Sequence, residues 1–374
     1  MKFITLLLAG SLMASSLVYG NDEAAQAKSK FKAAYKKYKE CVAAQDVQCT
    51  AEQAELAFKQ GVKVIPLDSK NAAALLYNYG LAVLNDTTRG PKRSVEAYKL
   101  LEQALPLNEK HFGKDSPQVL ALLTDLTSAQ VYEKDSEKNK KRYWQQAVEL
   151  SEKINGDASI EHAMVLMETG SVMMNSHGYD IYFAKRYLND AYDIFRKELG
   201  DTHPYTGFVA FNLGKYKMAQ GKNRSATDYF EQALVAFEGD DGYRNRYSLT
   251  AHGFLVQTYE SLGKSDEATE HCLAIGKSQP PVANDEYYPL FKQAPAYPEA
   301  AARSKQEGTV IYEYTVTEQG FTKDHKLIEW TGSKLFVEPS LEAVKKFRYA
   351  PQFVDGKPVP VQGVRNRFNF VMGG

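Results

Sequence analysis

NLGKYKMAQGKNRSATDYFEQALVAF, residues 212–237, decides the fold. Its apolar residues recur at helical spacing on both sides of a break at Gln220-Gly221, which predicts two helices joined by a tight turn. Within it, Leu213-Gly214 is followed by Ala226 twelve residues after the glycine, then by Phe230 and Ala233. Small residues at Gly214, Ala226 and Ala233 let the two helices approach closely, and Phe230 fills the space between one helix pair and the next.

The unit that follows repeats these spacings with Tyr259, Gly263, Ala268, Cys272, Ile275 and Pro280, so that Cys272 occupies the bulky core place. Weaker units contain Ala54, Phe58 and Pro66; Gly80 with Ala97, Leu101 and Ala104; Trp144 and Ala147; and Gly170 with Ala184, Leu188 and Ala191. About six units result. The pattern resembles the tetratricopeptide (TPR) repeat. HFGKDSPQ, INGDASIE, ELGDTHPY and GDDGYRNR recur in the links, and Gly113, Gly156, Gly200 and Gly242 lie 43, 44 and 42 residues apart. Links of that length resemble TPR units of the kinesin-light-chain type, in geometry only. The resemblance implies an α-solenoid over 21–280 with a groove that binds peptides or protein segments. Asn78 and Asn212, each two residues before its unit's glycine, stand on the helix that lines such a groove; a solvated or capping role fits them as well.

At Pro280-Pro281 the composition changes, and PPVANDEYY reads as a connector spanning 281–293. Beyond it, AYPEAAARSKQ predicts a short helix with Pro298 in its first turn. EGTVIYEYTV alternates as a half-buried strand, TEQG is a hairpin turn, and Phe321 to Trp330 is the return strand, with a bulge expected near Asp324. SLEAVKKFRY, opened by Glu338-Pro339, predicts a helix burying Leu341, Val344 and Phe347. DGKP is a turn, and VQGVRNRFNFVM sets Val364, Phe368, Phe370 and Met372 against Arg365, Arg367 and Asn369. The expected order is α-β-β-α-β with an antiparallel sheet, a small α+β domain over 294–374 that makes the whole chain mainly α.

AYPEAA, EGTVIYEYTV, the Gly320 turn, LEAVKKFRYAP, DGKPV and the last alternating strand come in one series, and together they resemble the C-terminal domain of TonB. The resemblance implies a domain that grips a periplasmic segment of TonB-dependent outer-membrane transporters by β-strand addition. It assigns the receiving edge to the last strand, through Gln362, Gly363, Val364, Arg365, Asn366, Arg367, Phe368 and Asn369, with Tyr297-Pro298 matching a contact motif beside it. Tyr297 is read equally well as a packing residue over the sheet. Which alternate amides of the last strand face the partner is open. A TonB transducer also has an uncleaved N-terminal helix that engages the ExbB–ExbD motor and a long Pro-rich spacer, and this chain departs from both. Any coupling to that motor, or to a TonB protein, is expected to run through the repeats; an adaptor with no energy-transducing role is the alternative.

Residues 1–20 predict a cleaved export signal: Lys2, an uncharged run from Phe3 to Val18, and a cleavage site after Gly20. The run is too short for a span, which needs ~20 apolar residues. A periplasmic location follows, with peripheral association with the inner membrane compatible with it. An oxidising compartment permits a Cys41–Cys49 disulfide, and two buried thiols fit as well. Lys+Arg and Asp+Glu are equal at 46 each, which argues against nucleic acid or an anionic membrane surface as the main partner. No GxSxG, phosphate-binding Gly-rich loop, HExxH or paired CxxC is present. No catalytic residue, cofactor or metal site is expected. His271-Cys272 has no other His or Cys near it in sequence, and His203 before Pro204 belongs to a repeated link.

Overall fold

Small residues at the predicted places fold the chain into successive helical hairpins. A computed structural model describes residues 21–130, 143–174, 181–238, 247–279 and 287–372. The expected signal at 1–20 lies outside the described residues. The chain divides into two compact units, 1–194 and 195–374. The first contains α1 (Asn21–Ala43), α2 (Val47–Gly61), α3 (Lys70–Asn85), α4 (Lys92–Phe112), α5 (Pro117–Gln130), α6 (Tyr143–Asn155) and α7 (Ile160–Met174); α8 (Ile181–Leu199) runs across the division. The second contains α9 (Pro204–Ala219), α10 (Asn223–Glu238), α11 (Tyr247–Ser261) and α12 (Ser265–Ser278), followed by the C-terminal domain.

One packing rule is reused in three pairs. A methyl added to Gly80 of α3 would lie 2.9 Å from Leu101 of α4; one on Gly170 of α7 would lie 2.8 Å from Leu188 of α8; one on Gly214 of α9 would lie 2.7 Å from Phe230 of α10. In each pair the glycine admits the bulky residue of the second helix. By the spacing of Gly214 and Phe230 the last pair has Val256 for the glycine and Cys272 for the bulky residue, both fully buried. The volume is moved from one helix to the other.

The links share a second rule. Gly113, Gly156 and Gly200 have φ of 88°, 84° and 87°, a backbone conformation that L side chains rarely adopt. Each donates its N–H to the carbonyl four residues back, ending its helix. Three residues on, Ser116, Ser159 and His203 cap the next helix by accepting from the amides of Val119, His162 and Tyr205. His203 therefore has a structural task. In the first unit Cys41 and Cys49 form a disulfide between α1 and α2.

The C-terminal domain contains α13 (Glu299–Arg303), β1 (Gly308–Val316), β2 (Thr322–Gly332), α14 (Val337–Val344), β3 (Gln352–Val354), β4 (Lys357–Val359) and β5 (Val361–Phe370). The main sheet is antiparallel in the order β2-β1-β5. Val310, Tyr312, Tyr314 and Val316 point into the core, where Phe336, Val344, Phe347, Val364, Phe368 and Phe370 meet them. Asp324 has φ 55° and the β1–β2 register slips beside it, so the bulge lies where the alternation breaks.

Four features differ from the sequence reading. DGKP is the tip of a second hairpin, β3–β4, with Asp355 and Gly356 at φ 49° and 74°, the positive-φ pair of a tight two-residue turn. The helix expected through Tyr349 ends at Val344, because Arg348 exchanges backbone bonds with Phe291 and Tyr349 N–H donates to the Gly320 carbonyl. Met372 lies beyond β5 and is exposed. The connector expected over 281–293 is partly built into the domain: Tyr287 is buried in its core and donates to the Ala350 carbonyl at 2.5 Å.

Candidate functional site

β5 forms one edge of the sheet, with β1 on its inner side. A strand residue sends its N–H and C=O to one side and the next residue sends them to the other, so one known bond fixes the phase of a whole strand. Thr309 N–H donates to Thr331 Oγ1 of β2 at 3.1 Å. Thr317 N–H donates to the Phe321 carbonyl at 2.8 Å. Odd-numbered residues of β1 therefore face β2, and even-numbered ones face β5. Across the β1–β5 pair, Val310 stands opposite Phe368, Tyr312 opposite Asn366, and Tyr314 opposite Val364. The even-numbered residues of β5 thus direct their main chain to β1. Met372 N–H, donating to Glu307 Oε1 at 2.9 Å, keeps that phase past the end of the strand. Arg365, Arg367 and Asn369 then send their amides and carbonyls outward, to an edge with no strand paired to it among the described residues.

The remaining expected edge residues have other tasks. Gly363, at φ 72°, sits in an irregular stretch where the register slips between the Val364 and Val361 pairings, so Gln362 and Gly363 precede the regular edge. Val364 and Phe368 are core side chains. Asn366 Oδ1 accepts from Lys292 Nζ at 3.0 Å. Arg365 pairs with Glu313 on the outward face at 2.7 Å, an exposed pair worth little to stability. Tyr297 packs edge-on against Phe336 and Phe370 and donates its hydroxyl to the Gln306 carbonyl at 2.5 Å. Pro298 is the N-cap of α13. Tyr297 and Pro298 are thus placed near the Phe370 end of β5, and Tyr297 serves there as a packing residue.

Asn78 lies on α3 in the first unit and Asn212 on α9 in the second. Asn212 donates its side-chain amide to the Phe208 carbonyl of its own helix at 3.0 Å. The two are not brought together within one unit.

One cluster of titratable side chains is not visible in the sequence. His271, far in sequence from any other histidine, faces His252 with 2.8 Å between the two Nδ1 atoms. His252 Nε2 lies 3.3 Å from Glu238, and His271 Nε2 lies 3.3 Å from Glu231, which also accepts from the Tyr259 hydroxyl. The two histidines stand 19 residues apart on α11 and α12, and only the antiparallel pairing of those helices unites them. Burial, and then the neighbouring His271, hold His252 below the usual imidazole range. The hydrogen bond from His271 holds Glu231 below the usual carboxylate range. Among the described residues no group of three or more His, Cys, Asp or Glu is disposed to hold a metal ion. Burial pushes the Cys272 thiol up to about 12, which leaves it unreactive near neutrality.

Residues 293–372 match the family described as Gram-negative bacterial TonB protein C-terminal, and residues 180–239 match the tetratricopeptide repeat. Protein TonB of Vibrio cholerae serotype O1 is 35% identical over 65 residues, which are 17% of this chain and 27% of that protein. The chain thus spans about a quarter of the length of that relative. Among solved structures, BtubC (BKLC) from P. vanneervenii aligns over 73% of this chain and 97% of its own, at 14% identity and a TM-score of 0.38. A putative kinesin light chain of Podosopora anserina with nearly identical TPR-like repeats aligns over 69% and 95%, at 18% identity and a TM-score of 0.30. The structural alignments are too loose to carry an argument, whereas the sequence matches fall on the strands and helices described above. Residues 293–372 therefore form a C-terminal domain of the TonB family, set behind tetratricopeptide repeats.

Proposed function

We propose that this is an exported envelope protein whose C-terminal domain takes a partner segment as an added strand on β5 and whose repeats hold a second partner. The observation that carries the reading is the open edge: the outward amides of Arg365, Arg367 and Asn369 belong to a domain of the TonB family. The partner of that edge is a periplasmic segment of a TonB-dependent outer-membrane transporter. Main-chain bonds supply most of the affinity, so the edge tolerates sequence variation in what it binds. The repeats dock envelope partners, the ExbB–ExbD motor or a TonB protein among them, and coupling to energised transport runs through that contact. Export and a periplasmic location, with peripheral association with the inner membrane, rest on the apolar run of residues 3–18 and the small residues before Asn21.

A second reading is an adaptor with no energy-transducing role. The extent of the TonB likeness favours it: the match begins at residue 293, and a repeat array precedes it. Isothermal titration of the full chain with peptides copied from the periplasmic segments of such transporters separates the two. Saturable binding supports the transporter reading. Folded protein that binds none of the peptides rejects it in favour of the adaptor.

A further inference from the structure

α12 presents a stripe of small residues, Ser265, Thr269, Cys272 and Gly276, at helical spacing on one face. Elsewhere in the array such residues admit the next helix; here each meets the C-terminal domain. Arg348, which follows the turn after α14, is 1% exposed. Its guanidinium pairs with Glu260 of α11, donates to the Ser265 carbonyl at 3.2 Å and to Thr269 Oγ1 at 2.6 Å, and lies 3.7 Å from the centre of the Phe321 ring. A methyl on Gly320 would come within 3.6 Å of Cys272 Cβ. A methyl on Gly276 would run into the Pro351 carbonyl and lie 3.1 Å from the Phe353 ring.

A buried ion pair is weak evidence for stability by itself, since desolvation offsets most of its attraction. Here it comes with close backbone packing that only a glycine in α12 permits, and the two signals are independent. We infer that α11 and α12 form a permanent cradle for the C-terminal domain, so that the edge of β5 is held at a fixed orientation to the last repeats. A load applied to that edge passes through the Arg348 and Gly276 contacts into the helices, and the covalent connection between residues 279 and 287 is not needed to hold the parts together. The inference does not depend on which partner the edge takes.

The test cuts that connection. A specific protease site is placed between residues 281 and 286 of the full chain, the protein is cleaved, and the fragments are run on a sizing column. Four forms are compared: wild type, Arg348→Ala, Gly276→Ala and Gly253→Ala. An alanine at either glycine suits a helix better than glycine does. A methyl at Gly253 of α11 would meet nothing within 4 Å, so that variant is the control. Wild type and Gly253→Ala are expected to elute as intact complexes after cleavage. Arg348→Ala and Gly276→Ala are expected to separate: removing one partner of a buried pair weakens association about a hundredfold or more, and the methyl forced against the Pro351 carbonyl weakens it about tenfold or more. The two substitutions lie on opposite sides of the contact, so one that fails to fold leaves the other to decide. Separation of the wild-type fragments overturns the inference. So does co-elution of the fragments in whichever of the two variants is folded.

Discussion

His252 and His271 face each other across α11 and α12 with their Nδ1 atoms 2.8 Å apart, so one ring donates to the other and the pair has room for one bridging proton. Glu238 stands beside His252, and Glu231 stands beside His271 and accepts from the Tyr259 hydroxyl.

A pH dependence follows from this arrangement. His252 is held below its usual 6.5 in the folded protein, so the unfolded chain takes up the proton first as pH falls. Stability is therefore full above about pH 6.5 and declines below it, by at most about 1.4 kcal/mol per pH unit for one group. Glu231, also lowered, adds a further loss below its usual 4.5. Urea unfolding of wild type at pH 7.0 and 5.5 is expected to show the decline, and His252→Asn to show less of it. Equal losses in the two proteins would contradict the assignment.

Packing in the repeats is tested at Ala233, which is fully buried in α10. Ala233→Leu is expected to cost about 1–3 kcal/mol by overpacking. Substitution of exposed Lys222 is expected to change stability by no more than about 0.5 kcal/mol. Thermal unfolding of the two variants checks the register, and matching midpoints would count against it.

The Cys41–Cys49 bond joins α1 to α2 across eight residues. A loop of that length gives roughly 2.5 kcal/mol of stabilisation in the chain-entropy account. Reduction of the purified protein is expected to speed hydrogen exchange in α1 and α2 and to leave β1 and β5 unchanged. Thiol titration that finds three free cysteines in protein isolated from the periplasm would contradict the bond.

Much of this was legible in the sequence, for local reasons. Gly80, Gly170 and Gly214 reveal the helix pairs because each must admit Leu101, Leu188 or Phe230, and that bulky residue always lies four after one alanine and three before the next. β1 reads plainly because nine residues alternate between core and solvent. What failed to show depends on distant parts of the chain. β3 and β4 have three residues each, too few for a period. α14 stops at Val344 because Phe291 and Gly320 compete for the backbone that follows. Arg348 and Glu260, 88 residues apart, look like two ordinary surface charges until the domain lies on α11 and α12. The phase of β5 is equally invisible in its own residues, since it is set by bonds that Thr309 and Thr317 make to the far side of β1.

That phase gives the most direct test of strand addition. Arg367 sends its amide to the open edge, whereas Asn366 sends its amide to β1. Proline has no N–H to donate and is tolerated on an edge strand only where that N–H faces outward. Arg367→Pro is expected to stay folded and to lose at least about tenfold in affinity for a transporter-derived peptide, while Arg367→Ala stays within about threefold because main-chain bonds dominate. Asn366→Pro is expected to cost about 1–3 kcal/mol in stability by removing a ladder bond and leaving its β1 acceptor unpaired. The decisive measurement is peptide affinity by isothermal titration on folded Arg367→Pro: lost binding is the predicted result, and wild-type binding would contradict strand addition at β5.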